Sequence, residues 1–186
     1  MLTVVALTFV AASGASPVPD PRSLGLRLQD LPAGFKVKSA SVKSAAAAVK
    51  EGGVSLAELK SWGYVTGYFA VFDRDVSLSD ALTGAIAIES TASVYRTKPG
   101  VEKSLASSAA ACNKPPAQEL SVGARIGDEA HLCSVVKKSG GYTLQTYVVL
   151  WRRGDLKASV LITGIKGGVS ADQAVSLARV QDKRMH

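Results

Sequence analysis

Apolar and polar residues alternate with a period of two in five stretches of the chain, roughly 63–73, 84–95, 130–137, 142–152 and 156–164, and each predicts a β-strand. Lys-Ser-Gly-Gly at 138–141 and Arg-Arg-Gly-Asp at 152–155 are short Gly-containing loops that suit hairpins, so the last three strands predict an antiparallel meander. Leu24, Leu26 and Leu28 also alternate, ahead of the turn chemistry of Pro32-Ala33-Gly34, and residues 24–36 read as a short strand or edge.

Helical spacing takes over elsewhere. Over about 99–112, Pro99 suits a first turn and Val101, Leu105, Ala109 and Cys112 share one apolar stripe. The strong helix formers of 44–50 stop at Gly52-Gly53. Ser55 with Glu58, and Ser170 with Gln173, spell capping boxes, the second opening a helix near 170–184. Each follows Gly-Gly-Val, which places Val54 and Val169 to staple onto Leu59 and Ala174. The order is helix, two strands, helix, three strands, helix. It predicts an α+β fold, with an antiparallel sheet of about five strands flanked by helices.

Residues 1–15, MLTVVALTFVAASGA, are an apolar run ending in small residues, with Ser13 and Ala15 at the minus-three and minus-one positions of a cleavage site. They read as the remnant of a signal peptide lacking its basic n-region; the alternative is an apolar strand or helix docked on the domain. At about twelve apolar residues the run is too short to span a membrane, and no other approaches 18. Residues 16–23 carry three prolines, which reads as a helix-free linker, and a single domain follows over 24–186. In an exported protein Cys112 and Cys133 predict one disulfide tying a helix end to a strand, worth about 3 kcal/mol by loop-closure arithmetic. Two buried free thiols are the alternative. The bridge closes only if the helix covers the sheet face that carries His131 and Val135.

With 186 residues, 47% apolar and 20% charged, the chain can bury its own core and fold autonomously. The net charge of +7 is uneven: residues 1–93 hold eight Lys/Arg and eight Asp/Glu, residues 94–186 fourteen and seven. Such an excess attracts polyanions, but the longest basic runs are the pairs Lys137-Lys138 and Arg152-Arg153, as on an ordinary solvated surface.

Catalytic signatures are sparse. Asp-Glu-Ala-His at 128–131 spells a helicase box without the Gly-rich phosphate loop that an ATPase needs. His131 and Cys133 are two strand residues without a second ligand pair, so no metal is expected. Arg153-Gly154-Asp155 is read as turn chemistry. One internal His and no Gly-x-Ser-x-Gly elbow argue against a nucleophilic hydrolase. Asp73/Asp75 and Asp128/Glu129 leave a carboxylate-dependent hydrolase as an alternative. Tyr64, Tyr68, Tyr147 and Trp151 fall in strand pairs spaced by four, hence on one face, and with Arg153 they are the candidate ligand-binding residues. Only Tyr147, Trp151 and Arg153 form a basic and aromatic row, too little for nucleic acid.

Leu-Pro-Ala-Gly-Phe (31–35), Ile-Gly-Asp-Glu-Ala (126–130), Trp-Arg-Arg-Gly-Asp (151–155) and a closing helix ending Gln-Asp-Lys-Arg resemble small secreted or lipid-anchored actinobacterial proteins. These have PsbP-like α/β/α sandwiches, and the PknH-type extracellular sensor domain is a distant relative, with two disulfides where this chain has one candidate. The resemblance implies a fold and little function; together with the leader and the sparse catalytic signatures, the chain reads as an exported, monomeric, non-catalytic binding or sensor-like envelope protein. It would need no cofactor and would take an unknown small molecule in a groove between sheet and helix. The alternative is a cationic surface protein that associates with anionic cell-wall polymer or lipid.

Overall fold

The computed structural model describes residues 18–50, 54–75 and 77–186. The leader expected at 1–15 and the Gly52-Gly53 helix stop lie outside the described residues. Seven strands make one sheet: β1 (Lys36–Lys43), β2 (Tyr64–Asp73), β3 (Ala85–Tyr95), β4 (Ala117–Leu120), β5 (Glu129–Ser139), β6 (Tyr142–Arg153) and β7 (Leu156–Ile165). Their order is β1-β2-β3-β7-β6-β5-β4, with every neighbouring pair antiparallel. The α+β class and the meander stand as expected. The β5–β6 turn is made by Gly140 and Gly141, both at positive φ (55° and 83°), which a two-residue hairpin of this hand requires.

The count of about five strands was too low, because β1 and β4 are the two edges. An edge strand with neither face covered has no reason to alternate apolar with polar. All but the last residue of β1 are exposed, Val37 and Val42 included. β4 is only four residues long. Residues 24–35 form no strand, and β1 begins only at Lys36. Pro21–Leu24 is one helical turn (α1), Leu28–Asp30 a 3-10 turn, and the chain between is extended but unpaired. Leu24 and Leu26 are buried, and the Leu26 amide donates to Ser90 Oγ at 3.0 Å, so the alternation marks a segment lying across the sheet. The helix-free reading of the Pro-rich stretch fails at α1 for a simple reason: at a helix start the N–H that proline lacks is not needed.

Helices cover both faces. α2 (Ala45–Val49), α3 (Leu56–Ser61) and α5 (Lys98–Ala109, continued by a 3-10 turn to Asn113) lie on one. The capping box of Ser55 and Glu58 forms, and Val54 joins the apolar cluster of Leu59, Tyr64, Tyr95 and Val101. α4 (Leu78–Ala81) is a single turn in the β2–β3 connection. On the opposite face α6 (Ala171–Asp182), opened by the Ser170–Gln173 box, packs Ala174 and Ala178 onto Trp151, Val149, Val160 and Ile162. The N-terminal segment covers the rest of that core, held by Arg184, whose Nη2 and Nη1 lie 2.6 and 2.8 Å from the two oxygens of Asp30.

Candidate functional site

Strand alternation decides what each face offers. β7 points Leu156, Ala158, Val160 and Ile162 at α6, and Lys157, Ser159, Leu161 and Thr163 at the other face. α5, started by the Thr97 cap and Pro99, sets Val101 and Leu105 onto that second face and places Ser104 and Ser108, four apart, directly over Lys157. Cys112, just past α5, meets Cys133 of β5 with Cα atoms 5.4 Å apart, and the two are bridged. The helix therefore covers the face carrying His131 and Val135, as the disulfide expectation required.

α5 and α2 stand apart over this face, and the strands between them form the floor of an open groove of about 310 Å³. Phe69, Leu150 and Leu161 give it apolar surface, and Thr91 Oγ1 and Ser159 Oγ, 2.6 Å apart, give it polar surface. A narrower recess of about 160 Å³ continues beneath α3 past Trp62, Leu59 and Tyr95. Lys157 and Ser108 line both spaces.

The Lys157 ammonium donates to Ser104 O at 3.0 Å, Ser104 Oγ at 3.0 Å and Ser108 Oγ at 2.5 Å. All three of its hydrogens are used, but no carboxylate among the described residues forms an ion pair with it. The side chain is partly open to the groove while its charged end is enclosed. Burial pushes the ammonium down from 10.5 to about 8. Tyr95 OH lies 2.6 Å from Ser104 Oγ, and burial pushes this phenol upward, against the hydrogen bond from Ser104. An enclosed ammonium, hydroxyl groups and an apolar floor thus meet in one concave space, which Lys43, over the Phe69 ring at 5.4 Å, and Glu89 also line.

The five sequence candidates do not form one site. Tyr64 is on the groove face, edge-to-face with Tyr95 at 5.6 Å, its hydroxyl donating to Lys43 O at 3.1 Å. Tyr68 is on the opposite face. The reading that spacing by four keeps the pair together fails because a β-bulge shifts the register between Tyr64 and Thr66, and one extra residue flips all that follows. The Tyr68 ring lies against Gly25, where a Cβ would come within 2.7 Å of it. Tyr147, Trp151 and Arg153 do share a face, the one under α6. There Trp151 has no exposure, and Arg153 Nε is bonded to Asp182 Oδ1 at 3.0 Å.

Lys157, Ser104 and Ser108 were missed. Their signal was present: a lysine in register with helix-covered residues of an apolar strand, and two serines four apart beside the apolar stripe of a helix.

The carboxylate pairs are engaged in ion pairs. Asp73 and Asp75 face Lys38 and Lys36 at 3.3 and 2.6 Å. Glu129 Oε2 accepts from Arg152 Nε at 2.9 Å, and Asp128 Oδ2 accepts from the Gly154 amide at 2.8 Å. His131 Nδ1 lies 2.9 Å from Glu119 Oε1, linking β5 to β4. Among the described residues no group of three His, Cys, Asp or Glu side chains is arranged to hold a metal, and no helix is long and apolar enough to cross a membrane. A second cavity, about 610 Å³, opens on the α6 face over Phe35, Ile88, Ile162 and Leu177.

No family model and no curated protein matches this chain. Among solved structures, the extracellular domain of PknH from Mycobacterium tuberculosis is similar to it, with a TM-score of 0.51 and 8% identity, over 91% of this chain and 100% of that one. At that identity what is shared is the fold.

Proposed function

We propose that this chain is an exported, non-catalytic binding module that takes a small molecule in the groove between α5 and α2, in the manner of a sensor domain of the bacterial envelope. The observation that carries the reading is the groove itself, a concave space on the sheet with an apolar floor, an enclosed Lys157 ammonium held by serine oxygens, and the charged residues Lys43 and Glu89 on its lining. Ligand sites are typically concave, mostly apolar and equipped with a few placed polar groups. The Cys112–Cys133 bridge and the fold shared with an extracellular domain support a place outside the cytoplasm. Kinship with PsbP-like sandwiches and small actinobacterial lipoproteins belongs to the same reading. The carboxylate-dependent hydrolase is disfavoured, since the pairs it would use are held by Lys36, Lys38, Arg152 and the Gly154 amide.

A thermal-shift screen of small envelope metabolites tests this, run on the wild type and on Leu161→Trp, which fills the groove floor. Metabolites should raise the melting temperature of the wild type and lose that effect in the variant. Stabilisation that survives Leu161→Trp undiminished would place binding elsewhere and overturn the groove.

A further inference from the structure

Lys157 and Ser108 define what the groove is built to meet. Lys157 supplies the enclosed ammonium, and no carboxylate among the described residues forms an ion pair with it; Lys43 and Glu89 also line the groove, so its three charged residues together carry one net positive charge. Leaving a charge enclosed without a partner is costly, so a bound anion gains more here than it would on an open surface. Ser108 Oγ accepts from the ammonium, which leaves its own hydrogen to donate, and Ser108 lines both the groove and the recess. A hydroxyl polarised by a neighbouring cation is a strong donor to an anionic oxygen.

The rest of the groove argues for the remainder of the ligand. Phe69, Leu150 and Leu161 offer apolar surface. At the roughly 30 Å³ that one water occupies in the liquid, the 310 Å³ groove has room for about ten non-hydrogen atoms. Phosphate groups are usually met by several N–H donors or a guanidinium fork, whereas the corner around Ser108 supplies the Lys157 ammonium and hydroxyl groups, the groove's second lysine, Lys43, being placed over the Phe69 ring at 5.4 Å.

From this geometry we infer that the groove binds a monoanionic amphiphile, a medium-chain carboxylate, with its acid group against Ser108 and Lys157 and its chain along Phe69, Leu150 and Leu161. This rests on the groove being the binding site. Calorimetric titration at neutral pH with octanoate, 1-octanol and octyl phosphate tests it, on the wild type, Lys157→Met, Ser108→Ala and Leu161→Trp. The wild type should bind octanoate at least 10-fold more tightly than either analogue. Lys157→Met should bind octanoate and 1-octanol alike, and Ser108→Ala should fall between. Equal affinity for octanoate and octanol in the wild type, tighter binding of octyl phosphate, or no binding of octanoate would each overturn the carboxylate subsite, and none of these comparisons needs a variant to fold. An octanoate preference that persists in folded Lys157→Met would also overturn it. If all three probes bind the wild type equally and Leu161→Trp removes them, the groove stands and only the subsite falls. Binding that Leu161→Trp leaves intact counts against the groove as well.

Discussion

Lys157 Nζ lies 2.5 Å from Ser108 Oγ, joining the central strand β7 to the last turns of α5 through a hydrogen bond that carries a charge. Inside a folded domain such a contact is expected to be costly, since desolvating the ammonium is only partly offset by hydroxyl and carbonyl oxygens.

Lys157→Met should therefore stabilise the free protein near neutral pH. The folded-state pKa is lowered from 10.5 to about 8, so between those values the unfolded chain holds more protons than the native one. Wild-type stability should rise as pH increases through that window, and the advantage of Lys157→Met, roughly 3 kcal/mol below pH 8, should fade by pH 10.5. Urea denaturation of both proteins from pH 6 to 10.5 measures it. A constant difference, or one that grows with pH, would show that the ammonium is not held in the enclosed site.

The Cys112–Cys133 bridge closes a loop of 21 residues between α5 and β5. Cys112→Ser with Cys133→Ser, or reduction, should cost about 3 kcal/mol in the loop-entropy picture, read as a lowered denaturation midpoint. No change on reduction would mean that the bridge does not form in solution.

At the other end of the sheet Asp182 is partly buried, which alone would raise its pKa. Hydrogen bonds from Arg153 and the Gly127 amide outweigh this and hold the carboxyl below its ordinary value, 3.8. A lowered native pKa gives stability that is fully present above that value and is lost as pH falls through the native one. Arg153→Met should weaken the fold at neutral pH and flatten the loss of stability as pH falls below 3.8, in chemical denaturation at stepped pH. Unchanged acid sensitivity would remove the pair from the explanation.

The two faces of β2 give a separate check. Tyr64→Ala should lower affinity for groove ligands, because it opens the wall shared with Tyr95. Tyr68→Ala should act on stability instead, since it leaves space beside Gly25 under the N-terminal segment. Equal loss of affinity in both variants would contradict the bulge between Tyr64 and Thr66.

Where a strand or helix buries one side, the sequence pattern announced it: β2, β3, β5, β6, β7, α5 and α6 fall close to the predicted spans. β1 and β4 gave no such pattern because edge strands of this sheet are mostly solvated. The candidate site was harder to read. Trp151 and Arg153 carry conspicuous chemistry, which the fold spends on the core and on Asp182. Lys157, Ser104 and Ser108 leave a trace in the strand and helix spacing, but only α5 laid across β7 shows that they meet. Tyr68 was misplaced by one inserted residue, a local choice of backbone that leaves no mark on apolar periodicity.

Amide chemical-shift mapping of the wild-type protein, titrated with the metabolites that raise its melting temperature, addresses the binding groove most directly. Perturbations should concentrate at Thr91, Ser108, Leu150, Ser159 and Leu161. Shifts clustered instead at Phe35, Ser176 and Leu177, around the cavity on the α6 face, would contradict the groove as the place where this protein meets its ligand.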